Sequence, residues 1–365
     1  MNNTVTISVN GIDYAGWKSV RVEAGLERVA RSFELSVTDS WPGASAEVSR
    51  VNPGDLAEIR IGEDLVCTGY VDARPIDYDA NGYTIVIRGR SKTADLVDCS
   101  ADNSGGQFKG LLLEQVAIKI VEQYGLGVVV QTATGSAISD HQIQQGETAF
   151  ESLDRLAKLR QILITDDEAG NVLLASVGAA GNATSGLGLG VNILSGSAGF
   201  DFSEVYSSYV VKGQKSGTDD SFGAAAAQIS GTAVDSQVVR TRTLVVRQSG
   251  QADAANCAQR AAYEAQVRRA KAGEIRYRVA GWRQADGSLW RPNLFVQITD
   301  GLLGVNGALL ISEVIYTLDM GGEICELVVI APGAFATEPE TIAKAKKRKG
   351  GSGRGSNFSW PDEVE

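Results

Sequence analysis

The chain has 365 residues, of which 43% are hydrophobic and 21% charged, and it contains 42 glycines but only 7 prolines. This length allows two or three domains with cores of their own, and this balance excludes a chain that is disordered throughout. Glycine exceeds the average share of about 7%, which indicates many turns and tight bends.

The charge is unevenly distributed along the chain. Residues 1–343 carry 28 Lys and Arg against 41 Asp and Glu, a net charge of −13, whereas residues 344–365 hold six basic and three acidic side chains. Tight nucleic-acid binding depends on clustered Lys and Arg. The acidic body therefore argues against broad phosphate binding.

Cysteine spacing and the first residues of the chain indicate the compartment. The four cysteines show no Cys-x-x-Cys or Cys/His ligand spacing, and we expect four buried, reduced thiols. The opening MNNTVTISVNG lacks the charged and apolar regions of a secretory signal, and no apolar run approaches the roughly 18 residues of a membrane span. We expect a chain made and folded in a cytoplasm, without membrane insertion. The cysteines are Cys67, Cys99, Cys257 and Cys325.

Residues 1–98 are predicted to form an amino-terminal β-barrel. Alternating segments begin with Val5-Thr6-Ile7-Ser8-Val9 and are separated by Gly and Asn turns such as Asn10-Gly11, a strong hairpin signal. Short strands between such turns are typical of a small barrel or sandwich.

Residues 99–178 are predicted to form a compact α+β unit. Apolar residues recur at helical spacing from Leu113 to Tyr124, and Thr148 to Glu151 matches a capping box that opens a second helix. Apolar segments on both sides of residues 166–171 predict a hairpin after that helix.

The rest of the chain completes the predicted fold class, which is α+β, mostly β. Residues 179–200 are rich in Gly, Ser and Ala and are predicted to be a linker. Residues 201–332 predict a second β-barrel with an inserted Ala-rich helix at 253–272, which we expect to join the α+β unit. Residues 333–365 are expected to be a flexible basic tail. The prediction is thus two small antiparallel β-barrels with a helix-containing α+β unit between them.

A short pattern recurs in the two predicted barrels. Pro53-Gly54-Asp55 leads into a strand, a Gly turn and another strand, and Pro292-Asn293-Leu294 leads into a similar succession. Many β-proteins contain such segments, so this pattern alone does not decide whether the barrels are duplicated. We state their relation as a hypothesis.

Few residues are placed for catalysis or for holding a cofactor. His141 is the only histidine, which excludes a multi-histidine metal site, and we expect it in a surface loop. No Gly-Lys dipeptide occurs, so a Walker A phosphate loop is excluded. Gly186-Leu-Gly188-Leu-Gly190 resembles a dinucleotide loop, but Val191 takes the place of its third glycine. We expect no metal and no cofactor.

Paired carboxylates and exposed aromatics leave two alternative functions open. Glycosidases need only two carboxylates, and Asp166-Asp167-Glu168 is the densest acidic group, although a solvated hairpin turn is the simpler interpretation. Asp219-Asp220, in a Gly/Ser-rich loop, has the same interpretation. Trp282 and Trp290 are the candidates for a carbohydrate-binding platform, or they pack in a core or interface.

The basic tail carries the candidate partner-binding residues. Its Lys and Arg side chains could bind nucleic acid or an acidic protein surface, or they could keep a disordered tail soluble. The two aromatic side chains near its end favour a short docking peptide, because such side chains often anchor on a partner. The six residues are Lys346, Lys347, Arg348, Lys349, Phe358 and Trp360.

Three segments together resemble a known family. They are GRSKTADLVDCS at 89–100, TAFESLDRLAKLRQILITDDEAGNVLLA at 148–175, and WRPN at 290–293 followed by LLISEVIYTLD at 309–319. In this order they resemble the baseplate hub proteins of Mu-like contractile-tailed phages, the tail protein P family, over about residues 1–335. That family is related in fold to other contractile-tail hubs and to the base of type VI secretion spikes.

The resemblance implies a structural protein of the virion and not an enzyme. It implies a homotrimeric ring in the tail baseplate, acting in tail assembly and DNA ejection, in which two similar barrels per chain let a sixfold tail tube meet a threefold spike. The implied partners are the chain itself, the central spike protein, the tail tube or tube-initiator protein and other baseplate proteins. DNA would pass through the channel without specific binding, repelled by an acidic lumen.

Location and origin follow from the same resemblance. We expect the protein in the tail baseplate of the virion, and in the host cytoplasm during assembly. A phage and a domesticated tail-like particle are both compatible with the sequence. The alternative functions are a tail-associated cell-wall hydrolase and a carbohydrate-binding β-protein.

Overall fold

The protein is described by a computed structural model, which covers residues 2–39, 51–80, 82–101, 106–158, 160–214 and 228–336. None of the helices within these ranges is long and apolar enough to cross a membrane.

The elements fall into three groups along the chain. The first group contains strands only: β1 (Val5–Val9), β2 (Ile12–Tyr14), β3 (Ser19–Gly25), β4 (Ser32–Asp39), β5 (Leu56–Ile61), β6 (Asp64–Ala73), β7 (Ile76–Tyr78) and β8 (Tyr83–Ser91). The second group mixes helices with short strands: α1 (Ala94–Asp98), β9 (Gln107–Phe108), α2 (Leu113–Val121), β10 (Val128–Val130), β11 (His141–Gln142), α3 (Ala149–Lys158), β12 (Leu163–Asp166) and β13 (Val172–Ala175). The third group contains nine strands and one long helix: β14 (Leu187–Gly188), β15 (Ile193–Phe200), β16 (Ser208–Gln214), β17 (Ile229–Val234), β18 (Thr243–Gln251), α4 (Ala254–Lys271), β19 (Gly273–Ala280), β20 (Phe295–Asp300), β21 (Val305–Asp319) and β22 (Gly322–Ile330).

Fourteen strands from the first and third groups form one large sheet. Its main path runs β15-β19-β22-β21-β3-β4-β8-β6-β5-β1-β2, with β14 beside β20, β20 beside β21, and β7 beside β8. Alternate residues of β1 are buried, as the period of a half-buried strand requires. One core lies against this sheet and takes side chains from both ends of the chain, including Ile7, Leu35, Tyr277 and Trp282.

The two β-regions share one strand order. Neighbours in the amino-terminal unit run β1-β5-β6-β8-β4-β3, and in the carboxy-terminal unit β14-β20-β21-β22-β19-β15. Their registers agree as well: Val71 pairs with Gly89 as Ile311 pairs with Val329, and a register shift follows each of these pairs. One pairing differs, since β1 is antiparallel to β5 and β14 is parallel to β20. Shared order and register support the hypothesis that the two units are related.

The predicted class, α+β and mostly β, is confirmed. The two units are joined in series by the pairing of β3 with β21, so they share a sheet and a core. Among the described strands, no ladder joins β1 to β3 in the amino-terminal unit. In the carboxy-terminal unit one described bridge joins Leu189, the residue after β14, to Ile193 at the start of β15.

The α+β unit has a core of its own between α2, α3 and the sheet β10-β13-β12. The capping box is present as predicted: the Thr148 N–H donates to Glu151 Oε2 at 2.8 Å, and the Glu151 N–H donates to Thr148 Oγ1 at 3.1 Å. Leu113, Val116 and Ile120 are buried on one face of α2, as their spacing predicts.

Part of the predicted linker at 179–200 is a strand. β15 pairs with β19 from Ile193–Val279 to Phe200–Gly273. Gly and Ser have little strand propensity, which is why this segment resembles a loop. The glycine at position 196 has a packing role instead, because a Cβ there would lie 3.0 Å from Cε1 of Tyr277.

The long helix α4 packs on a separate three-stranded sheet, and not in the core of residues 99–178 as expected. Cys257 and Ala261 of α4 form a small core with Tyr209 and Val211 of β16, in the sheet β17-β16-β18. Small side chains permit this close approach: a Cβ on Gly231 of β17 would lie 2.1 Å from the Ala258 nitrogen. The domain boundaries given from the sequence stay predictions.

Candidate functional site

The six tail residues predicted to bind a partner lie outside the described residues, as do Asp219 and Asp220. A role in partner binding therefore stays a prediction for Lys346, Lys347, Arg348, Lys349, Phe358 and Trp360.

The densest acidic group of the sequence surrounds a buried arginine and is not a solvated turn. Arg31, between β3 and β4, donates from Nε to Asp166 Oδ1 at 3.1 Å and from its backbone N–H to Asp166 Oδ2 at 3.0 Å. It also donates from Nη2 to the Asp166 carbonyl at 3.1 Å and from Nη1 to the Val66 carbonyl at 2.9 Å. One guanidinium thus fastens β12 of the α+β unit to β6 and to the β3–β4 turn.

The ionisation of this pair follows from burial and from the opposite charge. Burial raises the pKa of Asp166, and the nearby charge of Arg31 opposes that rise. Burial disfavours the charged form of Arg31, but the carboxylates of Asp166 and Glu168 outweigh it and raise the Arg31 pKa. Asp166 is 2% exposed and both of its oxygens accept hydrogen bonds. It is therefore not accessible as a general acid or base.

The other two acids complete the turn and border a cavity. Asp167 accepts hydrogen bonds from the Asn171 N–H at 2.8 Å and from Asn171 Nδ2 at 3.0 Å. Glu168 lies 3.4 Å from Arg31 Nη1; burial would raise the pKa of Glu168, but the charges of Arg31 and Arg291 help to lower it. The cavity has a volume of about 250 Å³ and lies where the units meet. The acidic side chains that line this cavity lie near Arg31 and Arg291. The acidic group therefore connects the α+β unit to the β-units and does not form a pair of free carboxylates.

His141 is buried, so the prediction of a surface loop was wrong. It is 4% exposed, its Nε2 lies 2.9 Å from Ser152 Oγ, and its ring stacks on Phe108. The pKa of His141 is lowered by burial and by the nearby charge of Arg155. A nucleophilic serine needs access to substrate and an oriented histidine. Ser152 is fully buried, and the other ring nitrogen of His141 faces Arg155 Nη1 at 3.5 Å. The pair holds β11 against α3.

All four cysteines are free thiols. Three of them are buried as predicted, whereas Cys99 is exposed.

Trp282 and Trp290 are buried in the large core, which overturns a carbohydrate-binding platform at these positions. Trp282 Nε1 donates to the carbonyls of Thr317 and Ile324, both at 3.1 Å.

The junction between the two β-units is a strand pairing. Residues Glu313 to Leu318 of β21 pair antiparallel with Gly25 to Val20 of β3. The pairing of β21 with β20 ends at Leu310, so the second half of β21 is available for β3. β21 therefore carries strands of both units.

The carboxy-terminal unit ends in an open edge, β15. Apart from the bridge between Ile193 and Leu189 at the start of β15, no described strand pairs with the edge of β15 that faces away from β19. Leu194 and Phe200 on this strand are 57% and 53% exposed. Open edges commonly carry charges or prolines that block further pairing, but residues 169–200 contain no Asp, Glu, Lys, Arg or His. The β15 edge lacks that protection.

A second open edge lies on β7. β7 pairs with β8 through Ile76–Ile85 and Tyr78–Tyr83, and no described strand pairs with its other side. All three of its residues are exposed, Tyr78 by 84%. Sequence reasoning missed both edges. The uncharged segment at 169–200 could have indicated the open edge at β15. No sequence feature indicated β7, which has only three residues and follows a proline.

Comparisons with known proteins agree with this architecture. Three domain models match in chain order: the amino-terminal domain of Mu phage baseplate assembly protein GpP-like at residues 4–91, the second domain of baseplate hub protein gp44-like at 93–176, and the fourth domain of Mu phage baseplate assembly protein GpP at 253–338.

Individual relatives match over nearly the whole chain. Baseplate hub protein gp44 of Escherichia phage Mu is 35% identical over 363 residues, which cover 97% of this chain and 94% of the relative. The 43 kDa tail protein of prophage MuSo2 from Shewanella oneidensis is 31% identical with a TM-score of 0.83, covering 92% of this chain and 99% of the other.

A more distant structure shares the fold alone. The Escherichia coli c3393 protein, described as a component of the type VI secretion system with structural similarity to T4 tail proteins gp27 and gp5, is 10% identical with a TM-score of 0.52. The match covers 89% of this chain and 76% of c3393.

This chain is 35% identical to a baseplate hub protein over almost its full length. The chain therefore belongs to the family of baseplate hub proteins of Mu-like phages.

Proposed function

We propose that three copies of this chain form a ring at the centre of the tail baseplate, which links the tail tube to the central spike. The repeated β-unit is the observation that carries this proposal. Because each chain has two units of the same strand order, three chains present six similar units. Such a ring offers sixfold symmetry to a tube and threefold symmetry to a spike. Tail assembly begins from it in the host cytoplasm.

The partners follow from the family and from the fold. The ring contacts the spike protein on one side, the tail tube or tube-initiator protein on the other, and further baseplate proteins at its rim. The proposed contact with the spike is supported by the fold shared with c3393, a type VI secretion component that is structurally similar to the T4 tail proteins gp27 and gp5. The basic tail with Phe358 and Trp360 is proposed to dock on one of these partners.

DNA passes through the ring without specific binding. The net charge of −13 over residues 1–343 repels phosphates, so the lumen does not retain the duplex. Purified protein lacking residues 337–365 should not retard duplex DNA at about 150 mM salt. Retardation by this shortened chain would contradict a passive channel.

A sedimentation measurement tests the ring. At micromolar concentration the full chain should sediment with the mass of three chains of 38.5 kDa, because obligate interfaces commonly bury upwards of about 2,000 Å². A chain that sediments as a monomer at this concentration would contradict the proposal. Removal of residues 337–365 should leave the trimer intact and reduce its incorporation into assembled baseplates.

A further inference from the structure

The two β-units contact each other inside the chain through the pairing of β3 with β21. In the common strand order, β3 holds the place of β15, and β21 holds the place of the continuous segment β6–β7. β3 and β21 pair with each other, whereas β15 and β7 are the two open edges described above. We propose that β15 of one copy pairs with β7 of the next copy, as β3 pairs with β21. This inference rests on the proposed ring.

Equivalent residues on β3 and β15 are defined by their partners. Val22 of β3 pairs with Phe33 of β4, and Ala198 of β15 pairs with Ile275 of β19. Phe33 pairs with Gly89 and Ile275 pairs with Val329. Gly89 and Val329 hold equivalent places next to the shared register shift, so Phe33 and Ile275 are equivalent as well. Val22 therefore corresponds to Ala198.

Equivalent residues on β21 and β7 are defined in the same way. Tyr316 of β21 pairs with Cys325, and Ile76 of β7 pairs with Ile85. Tyr316 and Ile76 each lie the same number of residues after the register shift that β21 and β6 have in common. Tyr316 therefore corresponds to Ile76. Within the chain Val22 pairs with Tyr316. The equivalent pairing places Ala198 of one copy opposite Ile76 of the next.

The backbone directions agree with this register. The Asp201 N–H donates to the Ala272 carbonyl beside β19, so the alternation along the strand directs the N–H and C=O of Ala198 to the open edge. The Pro75 carbonyl accepts a hydrogen bond from β8, so the same groups of Ile76 point to the open side of β7. Pro75 therefore blocks nothing, because its missing N–H faces β8.

The composition of the two edges favours a second copy as the occupant. Phe200, Leu194, Ile76 and Tyr78 are exposed apolar side chains that this pairing would bring to the interface. Permanent homo-oligomer interfaces are depleted in charge, as the β15 edge is. An uncharged edge invites aggregation unless it is covered early, and a second copy is present whenever the chain is made. Unlike edges joined head to tail also close a ring, which a self-pairing surface of three copies does not.

A disulfide placed across the proposed pairing tests it directly. The register puts Ser197 opposite Asp77 of the next copy in a non-hydrogen-bonded pair, where Cα atoms lie about 4.5 Å apart. Ser197→Cys with Asp77→Cys is made in a Cys99→Ser background, because Cys99 is exposed. After oxidation, non-reducing gels should show chains linked up to the trimer. The matched control, Ser195→Cys with Asp77→Cys, is two residues out of register and should lose most of this product.

The results separate the inference from the proposed ring. A wild-type trimer without linkage through residues 77 and 197, or with equal linkage in the control, would overturn the pairing and leave the ring intact. A wild-type monomer would overturn both. Ala198→Pro removes an N–H from the open edge alone and should dissociate the trimer with an unchanged circular dichroism spectrum, whereas Val239→Lys, at a side chain 97% exposed elsewhere, should not. A trimer that survives Ala198→Pro would count against the pairing.

Discussion

Gly54 and Asn293 hold equivalent places in the two β-units. Each follows a proline and has a positive φ, 92° and 68° respectively. The Gly54 N–H donates to the Val71 carbonyl at 2.7 Å, and the Asn293 N–H donates to the Ile311 carbonyl at 2.9 Å. A left-handed backbone conformation costs energy at any residue other than glycine. The same conformation at the same point of both units therefore supports their relation more strongly than strand order alone.

This conformation predicts the effect of Gly54→Ala. No atom lies within 4 Å of the position that the new Cβ would take, so only the backbone conformation contributes. We expect a loss of about 1–2 kcal/mol in the free energy of unfolding, measured by urea denaturation. Gly301→Ala is the matched control, since position 301 is equally open and has no left-handed φ. Equal losses in the two variants would contradict a conformational cause.

The buried pair of Arg31 and Asp166 predicts a larger loss. Arg31→Met leaves a buried carboxylate without its partner and should lower the free energy of unfolding by about 3–5 kcal/mol. Arg31→Met combined with Asp166→Leu should recover part of this loss, because no charge is then left buried. Denaturation of the single and double variants measures both effects.

An exposed pair provides the control for this experiment. Arg88 Nε lies 2.7 Å from Glu34 Oε2, but both side chains are about half exposed. Arg88→Met should therefore cost no more than about 1 kcal/mol. A similar loss at positions 31 and 88 would mean that burial does not set the strength of the Arg31 pair.

Local patterns predicted the elements whose cause is local. The alternation of Val5 to Val9 and the capping box from Thr148 to Glu151 depend on residues a few positions apart, and both are present. β15 could not be predicted in this way, because its Gly and Ser residues form a strand only against β19, which follows more than seventy residues later.

The same limit explains the errors at the candidate site. Asp166 resembled a hairpin tip because its partner, Arg31, is 135 positions away in sequence. His141 resembled a surface residue because its polar neighbours in sequence are not its neighbours in the fold, where Phe108 and Ser152 cover the ring. Only the Pro53 and Pro292 segments gave a long-range signal, through their similarity to each other.

Thiol accessibility gives a third prediction. Cys99 is exposed and the other three cysteines are buried. Burial and the nearby Asp166 raise the pKa of the Cys67 thiol to about 12, with Arg31 opposing. A thiol reagent at about pH 8 should therefore modify one cysteine per native chain, since the thiolate is the reactive form. Cys99→Ser should abolish this reaction, and full denaturation should expose the remaining three. Modification of a second thiol in the native chain would contradict the burial of Cys67, Cys257 or Cys325.

His141 predicts a loss of stability in mild acid. Burial and the charge of Arg155 lower the pKa of His141 below its ordinary value of 6.5, with Glu147 and Asp140 opposing. The unfolded chain therefore binds a proton more readily than the folded one, and stability falls as the pH drops below 6.5. Glu147 behaves similarly at lower pH: burial would raise the pKa of Glu147, but hydrogen bonds from Gln144 and Arg155 lower it below 4.5.

The two groups are separable because their pH ranges differ. His141 and Glu147 both lie in the α+β unit. Between about pH 6.5 and 4.5, His141 should account for most of the decrease in melting temperature that these two residues cause. His141→Gln keeps a side chain able to hydrogen-bond with Ser152 but does not titrate, so it should flatten the melting temperature over this range and leave the fall below it. If the wild-type chain and His141→Gln lost stability in parallel between these pH values, the buried histidine would not be the acid-sensitive group. The decline would then have to come from carboxylates such as Glu147, whose loss of stability belongs to the lower range.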